Sequence, residues 1–316
     1  MSRPASRRRR LGSGLAVAAG IGALAVVPAA SAHHSPHHHG HHGNGYKRVN
    51  LIADQPGHAR LTDPELVNAW ALAFGPTTPL WVADNGTDVA TVYSWGGRRT
   101  RPVNTGLVVS IPAGAPTGQV GNGSSKAFHG DRFIFSSEAG MITGWSSGSA
   151  ATTEATTPGA IYKGLAIAGH RLYATDFHNG KVDAFDSGFH PVKHPGFRDR
   201  RLPRGYAPFG IQRLGRRIYV TYAKQDADRE DDVAGAGNGF VDVYTTGGKL
   251  VDRLIRRGAL NSPWGLVQTA SAGSRTTCSW ATSVTAPSTP TAPVAGSSAG
   301  CAPSTAARSS SPACGG

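Results

Sequence analysis

Cysteine is missing from the first 277 residues of this 316-residue chain, and the three present, Cys278, Cys301 and Cys314, crowd into its end. An odd number so placed excludes a disulfide framework for the main body. Charged residues make up only 16%, and no long stretch rich in Ala, Glu, Lys and Leu occurs, so extended helices are not expected. Two catalytic signatures are also missing: Cys-x-x-Cys and His-Glu-x-x-His. With them go the sequence marks of a dithiol redox pair and a zincin centre. The glycine string Gly235-Ala236-Gly237-Asn238-Gly239 runs into a strand rather than a helix, so it lacks the geometry that cradles a phosphate.

Glycine and proline, by contrast, are abundant at 42 and 21 residues, the composition of a turn-rich all-β chain. Residues 1–32 read as a signal peptide: Arg7–Arg10 form the basic start, Leu11–Val27 the apolar run, and Ala30-Ser31-Ala32 the cleavage signal. Export with cleavage after Ala32 is therefore expected, with no membrane span in the mature chain. The segment holds five Arg and no acid, so its removal lowers the net charge from +13 to +8. The remaining basic pairs, such as Arg200-Arg201, Arg216-Arg217 and Arg256-Arg257, describe a solvated surface rather than a nucleic-acid groove. They allow a weak attraction to anionic cell-wall polymer. Residues 33–45 form a His-rich leader that includes His37, His38, His39, His41 and His42. It reads either as a polar spacer or as an opportunistic trap for Zn²⁺, Cu²⁺ or Ni²⁺.

Residues 46–267 repeat. Leu80–Tyr93, Phe133–Trp145, Leu172–Phe185 and Ile218–Tyr244 are each a period-2 hairpin, with a turn or longer loop rich in Asp, Asn and Gly. A shorter strand with small residues precedes most of them, around Asn68–Ala73, Tyr162–Ile167, Tyr206–Ile211 and Asn261–Leu266, with a less clear start near Pro116. The repeat of about 45–55 residues is that of one four-stranded propeller blade. The sequence thus predicts an all-β propeller with about four to five blades in this chain.

At Asn-x-Trp 68–70, Trp-Val-Ala-Asp-Asn-Gly 81–86, Tyr-Lys-Gly-Leu-Ala 162–166, Asp-Phe-His-Asn-Gly 176–180, Tyr-Ala-Pro-Phe 206–209 and the loop 231–243, the chain resembles a family of secreted bacterial proteins. These are uncharacterised six-bladed propellers related to NHL and SMP-30-like propellers. The resemblance implies the fold and export, and no particular reaction.

In a propeller, the entries of the inner strands and the turns of the central hairpins share one face. That face gathers Asn68, Trp70, Lys163, Tyr206, Gln225, Asn261 and Trp264 as candidate ligand-binding residues. Asp84, Asn85, Glu138, Asp176, Asp226, Asp231 and Asp232 are candidate metal ligands, and His178 is the candidate catalytic residue. Turn Asp and Asn also have a purely structural use, and the acidic run 226–232 is either solvated or bridged by Ca²⁺. Two functions follow. One is a binding module for an extracellular or cell-surface ligand. The other is a metal-dependent hydrolase, lactonase or lyase, in which a divalent cation (Ca²⁺ or Zn²⁺) held by Glu138, Asp84, Asp176 and Asn68 polarises a carbonyl while His178 moves the proton.

Beyond Val267 the texture changes: residues 268–316 hold no Asp, Glu or Lys and one aromatic, Trp280. With GC-rich codons and a one-base shift, residues 277–293 read DLLVGNFGDGAINAYGP, which matches the hairpin at Leu172–Asp186. The expectation is a frameshift between about Val267 and Thr276, truncation, and a disordered tail over 268–316.

Overall fold

The computed structural model describes residues 49–75, 77–96, 101–269, 277–282 and 298–300. The predicted signal segment, the leader histidines and the side chains of the three cysteines lie outside the described residues. Over the described residues the chain is strand and turn, and its one helical piece is a 3-10 turn at Phe128–Gly130. No described helix is long and apolar enough to cross a membrane.

After a short parallel pair, β1 (Ile52–Ala53) with β2 (Leu61–Thr62), come five antiparallel sheets in chain order. The first holds β3 (Ala69–Ala73), β4 (Leu80–Asp84), β5 (Val89–Gly96) and β6 (Arg101–Ser110). The second holds β7 (Pro116–Gly121), β8 (Phe133–Ser137), β9 (Met141–Trp145) and β10 (Thr152–Thr156). The third has only β11 (Tyr162–Ala168), β12 (Arg171–Asp176) and β13 (Lys181–Phe185). The fourth holds β14 (Tyr206–Leu214), β15 (Arg217–Lys224), β16 (Phe240–Thr245) and β17 (Leu250–Arg256), and the fifth β18 (Pro263–Thr269), β19 (Thr277–Thr282) and β20 (Ser298–Gly300). Each is a simple meander, so these are the blades of a β-propeller.

The core lies between blades. Trp81 of the first blade stacks on Phe133 of the second at 4.3 Å, and Phe197, on the connector after the third, meets Tyr173 and Tyr244 on either side at 5.2 Å. Because a neighbour covers each face, the second strands are buried on both sides: all five residues of β8 are buried. Outer strands such as β10 and β17 keep more exposed positions.

The inner strands share a device that places the site. Every one of β3, β7, β11, β14 and β18 slips register once against its partner, the mark of a β-bulge. The residue there is small: Ala71, Gly118, Gly164, Gly210 and Gly265. A methyl group on Gly118 would sit 2.5 Å from the Leu165 amide of the next blade, and one on Gly164 3.1 Å from the Phe209 carbonyl. Blade-to-blade hydrogen bonds run beside them, from Thr117 Oγ1 to the Tyr162 carbonyl and from Thr175 Oγ1 to that of Phe209, both 2.6 Å.

The sequence showed no hairpin beyond Val267, yet the backbone pairs Thr277–Thr282 on Pro263–Thr269 and adds Ser298–Gly300 outside it. Residues 277–282 (TCSWAT) include Thr277, Trp280 and Thr282, residue types that favour strands, and the free edge of β18 is a template for such a segment. The other residues of the expected tail lie outside the described residues.

Candidate functional site

One residue before each bulge position stand Trp70, Thr117, Lys163, Phe209 and Trp264. They form a layer across one end of the channel between the inner strands. Trp70 packs edge-on to Trp264 at 5.6 Å and to Phe209 at 6.2 Å. The Trp264 indole N–H donates to the Lys163 carbonyl at 2.7 Å. The Lys163 ammonium lies 5.4 Å from the Trp70 ring centroid, and the side chain is only 1% exposed.

The hairpin turns close over this layer with a repeated anchor. The amides of Asn85, Glu138, Phe177 and Gln225 donate to the carbonyls of Asn68, Ala115, Ile161 and Gly205 in the first four blades. These four side chains are therefore structural equivalents. A chain of hydrogen bonds crosses the mouth: Asn68 Nδ2 to Asn85 Oδ1 at 2.9 Å, then Asn85 Nδ2 to Glu138 Oε2 at 3.3 Å. Lys163 Nζ donates to Glu138 Oε1 and, at 3.0 Å, to Asp231 Oδ1 from the fourth blade's loop. Beside it, burial raises the carboxyl of Asp232, with the Ser262 hydroxyl and the Lys163 charge opposing.

Asn68, Trp70, Asn85, Glu138, Lys163, Asp231 and Trp264 thus come together through these contacts. Tyr206, Gln225 and Asn261 do different work: they hold the loop 225–238. The Tyr206 hydroxyl donates to Asn238 Oδ1, Gln225 Nε2 to the Phe177 carbonyl, and the Gly235 amide to Asn261 Oδ1. Asp226 caps the same loop by accepting the Glu230 amide. The anchor places Phe177, packed on Phe209 at 5.2 Å, at the channel-facing position and sets His178 one residue past it. His178 Nδ1 is buried and has no hydrogen-bond partner among the described residues.

The metal set does not converge. Asp84 is fully buried and accepts both the amide and the hydroxyl of Thr91; burial pushes it up to about 7 against those hydrogen bonds. Asp176, also fully buried, accepts from Asn179 Nδ2 at 2.8 Å and pairs with Lys181. Glu138 and Asp231 share the Lys163 ammonium, which occupies the place between them and offsets one of their two charges. Among the described residues no three His, Cys, Asp or Glu side chains are grouped to hold a metal ion. The residues present do not fit the divalent cation of the hydrolase reading.

A second polar network escaped the sequence reading. Buried Tyr222 and Tyr244 hydroxyls meet at 2.6 Å, and Tyr244 donates to Asp242 Oδ2 at 3.2 Å. Asp242 is pushed up to about 7 by burial and by the Asp199 charge. Burial opposes ionisation of Asp199, yet Arg253 (Nε at 2.7 Å) and the Arg201 amide hold its carboxyl below the usual range. One signal was legible: Phe240, Asp242 and Tyr244 share a strand face, and an Asp on an apolar face marks a buried partner.

No family model matches the chain. In sequence it is similar to an uncharacterised protein of Acanthamoeba polyphaga mimivirus, 30% identical over 237 residues, covering 69% of this chain and 59% of that protein. A second uncharacterised protein of that virus is 28% identical over 240 residues, covering 70% and 64%. The chain therefore spans less than two thirds of the length of these relatives. Among solved structures it is similar to virginiamycin B lyase from Staphylococcus aureus, with TM-score 0.41 and 12% identity over 68% of this chain and 78% of that one. It is also similar to the WD40 β-propeller domain of Doa1, with TM-score 0.42 and 8% identity over 68% and 62%. Likeness at this level carries no argument about activity, and the propeller assignment rests on the five meander sheets themselves.

Proposed function

We propose that this chain is an exported propeller of the secreted bacterial family it resembles, and that it binds a ligand over the mouth of its channel. The observation that carries the reading is the hydrogen-bond chain Asn68–Asn85–Glu138–Lys163–Asp231, to which four blades contribute. Its groups are neutral amides and carboxylates around one buried ammonium, above two indoles. Carboxylates outnumber cations there, so the ligand is rich in hydroxyls or carries an amine: a neutral or amino sugar of an extracellular or cell-surface glycan.

The test is a glycan array probed with the purified chain, followed by calorimetric titration of the strongest neutral and amino-sugar hits. Asn68 is exposed and takes a left-handed φ of 51°, and Asn85 is partly exposed, so an Asn68→Gly/Asn85→Ala variant, which keeps that backbone without strain, should melt close to the parent. Loss of two hydrogen bonds at about 1 kcal/mol each predicts affinity weaker by roughly 30-fold. An array with no neutral or amino-sugar hit, or a variant that binds as tightly as the parent, overturns the reading.

A further inference from the structure

The third blade has no fourth strand. Where one would lie along β13, the connector 186–205 makes only a bridge at Pro191 and one bond from the Val192 amide to the Ala184 carbonyl. It then leaves to dock on the fourth blade, the Phe197 amide donating to the Gly248 carbonyl at 2.7 Å. Phe189, His194 and Phe197 take positive φ of 61°, 53° and 57° on the way. Left-handed non-glycine residues cost free energy, and they gather where a particular loop path is wanted.

The result is a cleft of about 870 Å³ between the third and fourth blades, within the size range of small-ligand sites. Its wall includes Leu202 and Pro208, and Tyr222 and Asp199 bring the buried network described above to its lining. That network fixes the base of the connector: Arg253 grips Asp199 from β17 on two nitrogens. Arg198 and Arg200, on either side of Asp199, also line the cleft and are exposed. Neither has a carboxylate within ion-pair distance among the described residues, whereas Lys181 in the same wall is held by Asp176 and Asp183. Asp199 is spent on Arg253, so the rim is cationic.

We infer that this cleft is a second binding site, taking an acidic sugar, free or as a unit of an anionic glycan. Its carboxylate or phosphate lies between Arg198 and Arg200, and its ring lies against Leu202 and Pro208. Guanidinium forks match planar oxyanions two bonds at a time, and a cleft of this volume admits two or three sugar units rather than an ion alone. The site is separate from the channel mouth and opposite to it in charge, so the two readings stand or fall apart.

Fluorescence anisotropy of the full chain with labelled oligogalacturonide, a glycerol-phosphate oligomer, a neutral oligosaccharide and a single-stranded oligonucleotide tests it. The oligogalacturonide or the glycerol-phosphate oligomer should bind, and whichever is tighter identifies carboxylate or phosphate as the anion. The neutral sugar and the oligonucleotide should not bind comparably. Arg198→Ser/Arg200→Ser should weaken acidic-glycan binding at least tenfold, while Arg216→Ser/Arg217→Ser, an exposed pair on the β14–β15 turn with the same charge change, should leave it within twofold. Neutral sugar bound as tightly, oligonucleotide bound as tightly, or equal losses in the two variants each overturn the assignment.

Discussion

A methyl group on Gly210 would overlap the Trp264 carbonyl oxygen of the next inner strand, and Thr221 Oγ1 would crowd it at 3.0 Å. Backbone cannot step aside as a flexible side chain can, so Gly210→Ala belongs at the severe end of overpacking, about 3 kcal/mol. Thermal melts should show a Tm lower by roughly 10 °C. Gly123→Ala, where nothing lies within 4 Å of the added methyl, should change it by less than about 2 °C. Small residues in the inner strands were readable from composition alone. Which residue faces the channel was not, because one bulge per strand shifts the alternation by a single position. That shift puts Phe209 rather than Pro208 in the layer over the channel. At the hairpin turn of the third blade, the anchor likewise puts Phe177 rather than His178 forward.

At the scale of strands, Asp84 ends β4 and Asp242 sits within β16, both pushed up to about 7 chiefly by burial. Unfolded, each carboxyl titrates near about 4. Between those values the folded state holds more protons than the unfolded one, so stability falls as pH rises from about 4 to about 7. Asp199 works the other way: its carboxyl is held low, so its contribution fades only in more acidic solution. Urea melts across this window should show the decline. Asp84→Asn and Asp242→Asn, neutral at every pH, should each flatten it; a pH profile unchanged in both variants would sink the assignment. Hairpins and turns were legible at this scale because their signals are local. The absent fourth strand of the third blade was not, since the connector's path depends on Gly196 and Gly248 approaching across 52 residues of sequence.

For the whole molecule, the informative residues are those whose equivalents are buried elsewhere. Leu165 and Ile211 follow the bulge glycines of the third and fourth blades and are 4% and 5% exposed, covered by a neighbouring blade. Leu72 holds the same place in the first blade and is 65% exposed, with Phe74 at 72% and Val267 of the fifth at 56%. All three line one apolar cavity to which every inner strand contributes, Leu165 and Ile211 included. Apolar inner-strand residues left open in this way call for another blade against them. Residues beyond Val267 are mostly Ala, Ser, Thr, Pro and Gly; we propose that they are read in an altered frame, because a one-base shift supplies Leu-Leu-Val-Gly-Asn-Phe where the repeat places a second strand. The expected outcome is specific at the level of DNA. A single-base change between codons 267 and 276 should open a frame that continues the hairpin pattern. The protein expressed from that frame should melt higher and aggregate less, because Leu72 and Phe74 become covered and the open edges are paired. Nucleotide sequence with no such continuing frame would end the idea, and so would a restored chain that melts no higher than this one.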